Sequence, residues 1–519
     1  MNDDNRLVLV FDVGTQSTRA LAFDCRGELV DKVRREELPY ISKNDNRAEK
    51  DINELWTGIC AVSKQLKERL GGRWKDVAAV TVTSIRNTLF FLDKDGAPTR
   101  DAILWMDKRE VECPDPLPLW KRFIYSAVGM GEVVRVQRRT SYTNWVRVNQ
   151  PEVWQRTAKI VMPTAWYHFK LTGRLADSTA GQAARFPYDY KKRKWMTKRS
   201  LNYCIFGCPI DKMCELVRPG EKIGAISREA SEATGIAEGI PVIATGADKV
   251  CETVGNGAIA RDVASISLGT AASVEVTTDK YVEPETFMPA YTSVVDGKYN
   301  PEIQIFRGFW MVSWFRDQFA FYEQHEAERL GISAEKLLDD TLNKVPVGSD
   351  GLLVQPYWGP GLKTPQAKGV MIGFNDVHTR AHIYRAIIEG LGYALFEGLE
   401  NLMRRTGNQV TRVAVSGGGS QSEIVCKIMA DIIGMPVYKV QTYETSGLGC
   451  AVVAFTTLGV YKDVKEASDA MVRVTTVYQP DAANHERYLQ FYNRVYKKIY
   501  RCNLPVYNEL YSLLAADRY

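Results

Sequence analysis

The sequence predicts an α/β protein made of two related halves, and three observations carry that expectation. An apolar run, a polar Gly-Thr turn and an alternating run follow one another in VLVFDVGTQSTRALAFD at 8–24. The same order recurs in VASISLGTAASVEVTTD at 263–279, where Gly269 stands 255 residues beyond Gly14 and each glycine is followed 10 residues later by an aspartate, Asp24 or Asp279. That offset is about half of the 519 residues, and longer helical patterns alternate with short apolar runs along the chain. Two unrelated hairpins with common turn chemistry would give the same phrases. The agreement of length, spacing and position favours duplication, with the halves meeting near residue 258 as units 1–257 and 258–519.

Taken in order, the first phrase reads as strand, hairpin and, after a turn at Arg26-Gly27, the start of a third strand. VAAVTVTS at 77–84 is a buried strand, and PEVWQRTAKIVMPTAWYHFKLTG at 151–173 has helical periodicity with a glycine stop. GIPVIATGAD at 239–248 is a strand entering a glycine turn. RAHIYRAIIEGLGYALFEGLENLMRRTG at 380–407 is a long helix closed by basic residues and Gly407. VTRVAVSGGGSQSEIVCKIMADIIG at 410–434 reads strand, Gly-rich turn and helix, with Ser420 or Ser422 as the cap. In the last helix, at 485–502, Tyr488, Tyr492, Val495 and Ile499 form a stripe that packs on the body.

Composition narrows the function classes. With 67 basic and 62 acidic residues the net charge is +5, far from the dense basic stripe that phosphate backbones require. No apolar run approaches the ~20 residues of a bilayer span, and the start MNDDNR lacks the pattern of a secretory signal, so a cytoplasmic protein is expected. Ten scattered cysteines are expected as buried reduced thiols. Cys204, Cys208 and Cys214 lack both C-x2-C spacing and a nearby histidine for zinc. The five histidines, in no metal-binding pattern, are read as structural.

Three Gly-rich turns follow strands: DVGTQSTR at 12–19, SLGTAAS at 267–273 and SGGGSQS at 416–422. Such turns offer closely spaced backbone N–H donors and hydroxyls to phosphate. None is a P-loop or a dinucleotide fingerprint. Asp12 beside the first turn and Asp248 after a strand complete a phosphotransfer pair, one near a metal and one to accept the hydroxyl proton of an acceptor. Two turn-capping aspartates would look the same.

These motifs together resemble the FGGY carbohydrate kinases, of the sugar kinase, Hsp70 and actin superfamily. The resemblance also draws on GVMIGFNDVHTRAHIYRAIIE at 369–389, similar to the family's C-terminal signature, and LDKDGAPTRDAILWMDKR at 92–109, similar to its N-terminal substrate segment. It implies two RNase H-like (actin-like ATPase) domains, each a mixed five-stranded sheet flanked by helices, with ATP and sugar in the cleft between. It further implies that Asp248 is the catalytic base and that Asp12 positions Mg2+. Gly14, Thr15, Gln16, Ser17 and Arg19 would form the first phosphate hairpin and Gly269 and Thr270 the second. Gly417, Gly418, Gly419 and Ser422 would lie on the adenosine side.

The acceptor side departs from familiar patterns. Arg86 matches the arginine that glycerol kinases use on their polyol, but Asn87 stands where those enzymes have glutamate, and the Met-His-Gly phrase of xylulokinases is missing. Trp105, Asp107 and Arg109 fit a shared W-x-D-x-R pattern that lines and supports the sugar site. Lys249 follows the base where relatives commonly carry an amide; it would lower the Asp248 pKa if close, and it favours an acceptor bearing a carboxylate. The expectation is an ATP- and Mg2+-dependent kinase acting on a primary hydroxyl of a sugar, ketose or polyol, without nucleic-acid or membrane partners, and with a homodimer left open. The rivals are a catalytically silent, nucleotide-gated scaffold or sugar sensor of the same superfamily, and an ATPase that uses water as acceptor.

Overall fold

The computed structural model describes residues 4–37, 47–183, 185–359, 361 and 366–516. Two six-stranded sheets organise the chain. The first runs Lys222–Ala225, Pro241–Ile243, Val77–Ser84, Leu7–Val13, Ser17–Asp24 and Leu29–Glu36 across the sheet. The second runs Glu302–Ile305, Ala272–Val276, Val263–Leu268, Arg412–Ser416, Val437–Val440 and Val474–Tyr478. Each has the same pairing: an antiparallel meander of three strands, two further strands added in parallel beside the first of them, and one antiparallel strand at that edge. The expected five strands are present twice over, with one edge strand added to each set. The shared pairing is the structural counterpart of the repeated phrase.

The first sheet is buried on both faces, which is why Leu7–Val13 is apolar at nearly every position. Leu7, Leu9, Phe11 and Val13 pack with Ile59, Val62 and Leu66 of the helix Ile52–Leu70 and with Trp166 and Leu171 of the helix Pro163–Thr172. Val8 and Val10 point the other way, toward Leu21, Phe23, Val250, Val254 and Leu448 to Phe455. Those last residues belong to the helix Thr445–Thr457, so a helix from the second half covers a face of the first sheet. It crosses the helix Asp248–Gly255 at two glycines. A Cβ on Gly255 would lie 1.9 Å from the Thr445 carbonyl oxygen, and one on Gly449 would lie 1.9 Å from that of Cys251.

The long helix Arg380–Thr406 spans the second core and ends, as expected, on Gly407 at φ 69°. Buried Glu389 on this helix accepts from the Gly348 N–H, Ser349 Oγ, Arg385 Nε and Tyr488 Oη. It pins a left-handed run in which Gly348, Ser349, Asp350 and Gly351 all have positive φ.

Two local expectations are corrected and a third, left between two residues, is resolved. Residues 151–173 are two helices, Pro151–Arg156 and Pro163–Thr172, separated by the strand Lys159–Val161, which pairs with Phe90–Leu92. Pairing partners outweighed the continuous periodicity there, and each proline opens a helix instead of interrupting one. In the terminal helical segment a π-helical turn at Tyr492–Tyr496 shifts the register, so Tyr496 is buried in place of Val495. Ser422, not Ser420, caps Glu423–Ile433, accepting from Val425 N–H at 3.2 Å.

All ten cysteines are free, six of them buried and Cys502 exposed. Buried His168 is held neutral, its pKa pushed down to about 4 by burial. Among the described residues, no helix is long and apolar enough to cross a membrane.

Candidate active site

The site grows from the ends of the two meanders. Leu7–Val13 delivers Asp12 and then turns at Gly14, whose N–H donates to the Ser17 carbonyl at 2.9 Å. Ser17 is thereby buried, while Gln16 is exposed at the tip. Thr15 Oγ1 accepts from Trp105 Nε1 at 3.0 Å, which joins the W-x-D-x-R segment to the first hairpin. Arg19 Nη1 reaches back to Asp12 Oδ2 at 3.2 Å and across to Glu444 Oε2 at 3.0 Å.

In the second half, Gly269 and Thr270 accept from the N–H groups of Phe309 and Trp310, which fixes the hairpin against the helix Trp310–Phe319. Gly417, at φ 80°, passes so close that a Cβ would lie 3.0 Å from Gly269 N. This close approach requires glycine. A Cβ on Gly418 would meet nothing within 4 Å, so this turn is open to an approaching group.

Asp248 is the first residue of its helix and a quarter exposed at the side chain. Burial raises its pKa, and Lys249 and then Arg86 pull against that rise. The sequence expectation of a lowering by Lys249 thus holds for its sign, while desolvation wins the net shift. Asp12 is raised to about 6, first by burial and then by Asp248 and Glu444, with Arg19 opposing. The two carboxylates therefore share one low-dielectric region.

Lys249 does not lie free beside Asp248. Its Nζ donates to Glu252 Oε2 at 2.7 Å and to Ser267 Oγ at 2.5 Å. Glu252 also accepts from Ser416 Oγ, and Asn256 Nδ2 donates to Ser265 and Ser416. The Asp248 helix is thus bolted to the strands that carry both C-terminal Gly turns.

Arg86 lies 4.0 Å from Asp248 through Nε and 2.8 Å from Glu302 through Nη2, with its guanidinium 4.5 Å above the centre of the Tyr291 ring. Asn87 holds a positive φ of 62° and a buried Oδ1 without a partner. Asp107 is buried, its oxygens occupied by the Ala48 N–H and by Arg109, which also pairs with Glu49. It therefore braces the Trp105 segment from below.

Sequence reading missed Glu252, Glu275, Glu302, Tyr291 and Glu444. Only Glu275 left a signal, as an acid between valines at a buried position of the alternating run. Among the described residues no group of three or more His, Cys, Asp or Glu is arranged to hold a metal by itself.

Comparison with known proteins puts this arrangement among the carbohydrate kinases. The model of the FGGY family of carbohydrate kinases, N-terminal domain, matches residues 7–255, and that of the C-terminal domain matches residues 264–458. The chain belongs to the FGGY family of carbohydrate kinases. It is 26% identical over 513 residues to an uncharacterized sugar kinase, YgcE, of Escherichia coli (strain K12), covering 99% of this chain and 97% of that one. It is also 26% identical over 503 residues to a xylulose kinase of Staphylococcus epidermidis, covering 95% and 96% of the two chains. The ligand-bound xylulose kinase of Lactobacillus acidophilus superposes with a TM-score of 0.81 at 21% identity, over 97% of this chain and all of that one.

Proposed function

We propose that this kinase transfers the γ-phosphate of ATP to a primary hydroxyl of a ketose or polyol, with Asp248 as general base. The observation that carries this reading is the position of Asp248: partly exposed, raised in pKa by burial, 4.0 Å from Arg86, and followed by Lys249, which donates to Ser267 on the strand that leads into the second Gly turn. A carboxylate of raised pKa is a better proton acceptor than a free one. The likeness to a xylulose kinase over nearly the whole chain supports a ketose as the first acceptor to try.

In this reading the halves divide near residue 258, the N-terminal unit carrying the acceptor and base and the C-terminal unit the nucleotide. The Gly14–Arg19 and Gly269–Thr270 turns hold the phosphates, and Arg19 offsets charge as it moves between oxygens. Gly417, Gly418, Gly419 and Ser422 border the nucleoside. Asp12 fits a role toward Mg2+: its oxygens suit a hard cation, and Arg19 engages only Oδ2. The ion, when bound, would neutralise phosphate charge. Trp105, fixed through Thr15, walls the acceptor side and restricts water.

The deciding experiment is ADP release over a panel of ketoses and polyols with the wild type and Asp248→Asn. Acceptor-dependent release by the wild type, reduced at least ~100-fold in the variant while ATP still binds, is the expected result. ATP binding without acceptor-dependent turnover in the wild type would overturn the reading.

A further inference from the structure

The ionisable groups around the acceptor side are unequal in number. Three carboxylates, Asp248, Glu252 and Glu302, and the buried carboxyl of Glu275, raised in pKa to about 8 by burial, face two cations, Arg86 and Lys249, and both cations are already engaged. Arg185, beyond Tyr291, donates to the Thr140 carbonyl and Tyr142 Oη. Lys249 is held by Glu252 and Ser267. Arg86 is held by Glu302, 2.8 Å away and 3% exposed at the side chain, from the edge strand of the opposite sheet. Glu275 is the cross-strand neighbour of Glu302 and accepts from Thr253, so a second buried acidic side chain stands behind the first. Among the described residues of this cluster, no cation is left without an acidic partner to receive an acceptor's carboxylate.

The unused hydrogen-bonding capacity of this cluster is mixed, donor and acceptor. Arg86 Nη1, Asn87 Oδ1 and Glu275 Oε1 are buried without partners, one donor and two acceptors. The several hydroxyls of a polyol can accept from the first and donate to the others, whereas a carboxylate offers only acceptors and is repelled by the acids. We propose that Glu302 determines acceptor specificity: by neutralising Arg86 from across the molecule it fits the site to an uncharged polyhydroxylated acceptor and shuts out sugar acids. This reverses the expectation drawn from Lys249 in the sequence, and it rests on the kinase reading above.

The test compares kcat/KM for neutral ketoses and polyols with that for aldonic acids of equal carbon number, in the wild type, Glu302→Gln and Glu302→Asp, with thermal unfolding as the check on folding. The expected wild type favours its best neutral acceptor over the matching acid by at least ~100-fold. Glu302→Gln should narrow that ratio about tenfold, mainly through a lower KM for the acid, and Glu302→Asp should keep it. A wild type that prefers an acid overturns the proposal, even where no variant folds. So does a folded Glu302→Gln with an unchanged ratio. No acceptor-dependent release with any compound, despite ATP binding, removes the kinase reading and this inference with it; acceptor-dependent release lost in Asp248→Asn keeps the kinase reading whatever the ratio.

Discussion

Glu444 Oε2 lies 3.0 Å from Arg19 Nη1, so a residue of the second half sets the position of the cation on the first hairpin. The other oxygen of Glu444 takes Lys32 Nζ at 2.9 Å, which fixes the carboxylate from both sides. Glu444→Gln removes the charge and keeps the shape. With Arg19 facing the phosphates as proposed, steady-state kinetics on the variant should show kcat/KM for ATP reduced about tenfold with little change in thermal midpoint, since the arginine loses its orientation. Unaltered ATP kinetics would leave Glu444 with a packing role only.

The glycine crossing makes a second prediction. Because a Cβ on Gly449 would meet the Cys251 carbonyl oxygen at 1.9 Å, the Thr445 helix must shift if alanine is placed there. Backbone on the other side cannot yield as a side chain would. Gly449→Ala should cost about 1–3 kcal/mol or more in denaturant unfolding and should also reduce activity, since the same shift moves Asp248.

Glu389 supplies a third. It is a buried carboxylate serving four donors, among them Arg385 and the backbone of the left-handed run at Gly348. Truncation to alanine strands a buried guanidinium and releases the run. Equilibrium unfolding of Glu389→Ala should show a loss on the order of 3–5 kcal/mol. Glu389→Gln, which keeps part of the hydrogen bonding, should lose less.

A fourth concerns pH. Asp177 is buried against Thr164, Ser178 and Gln182, and burial pushes its pKa from 3.8 up to about 7. The folded state therefore holds a proton that the unfolded state has released between those values. Its contribution to stability is complete below pH 3.8 and is lost as pH rises through about 7, by at most on the order of 4 kcal/mol. Asp177→Asn mimics the protonated form, so its stability relative to the wild type should rise steadily across that window in parallel urea titrations. A difference independent of pH would show that Asp177 titrates as it does in the unfolded chain.

The sequence made the strands and Gly turns legible where each residue's neighbours settle its conformation. Val77–Ser84 and Arg380–Thr406 match their expected bounds because apolar period and stop signals agree. The strand Lys159–Val161 was hidden because only its partner Phe90–Leu92 selects it over helix. The same division runs through the site. Asp12 and Asp248 announce themselves beside glycine turns, whereas Glu302 and Glu444 act on Arg86 and Arg19 at separations of 216 and 425 residues. No local pattern marks such a pair.

The helix Thr445–Thr457 has a consequence for synthesis. The face of the first sheet that carries Val8, Val10, Leu21 and Phe23 is closed by Leu448 to Phe455, residues that leave the ribosome late. While the chain is nascent, that apolar face is covered only in part, by Val250 and Val254, through most of translation, and the amino-terminal half cannot finish folding as an independent unit. A fragment ending before Thr445 should therefore emerge as a client for chaperones and aggregate when expressed alone, and supplying the missing carboxy-terminal portion as a separate chain should rescue it.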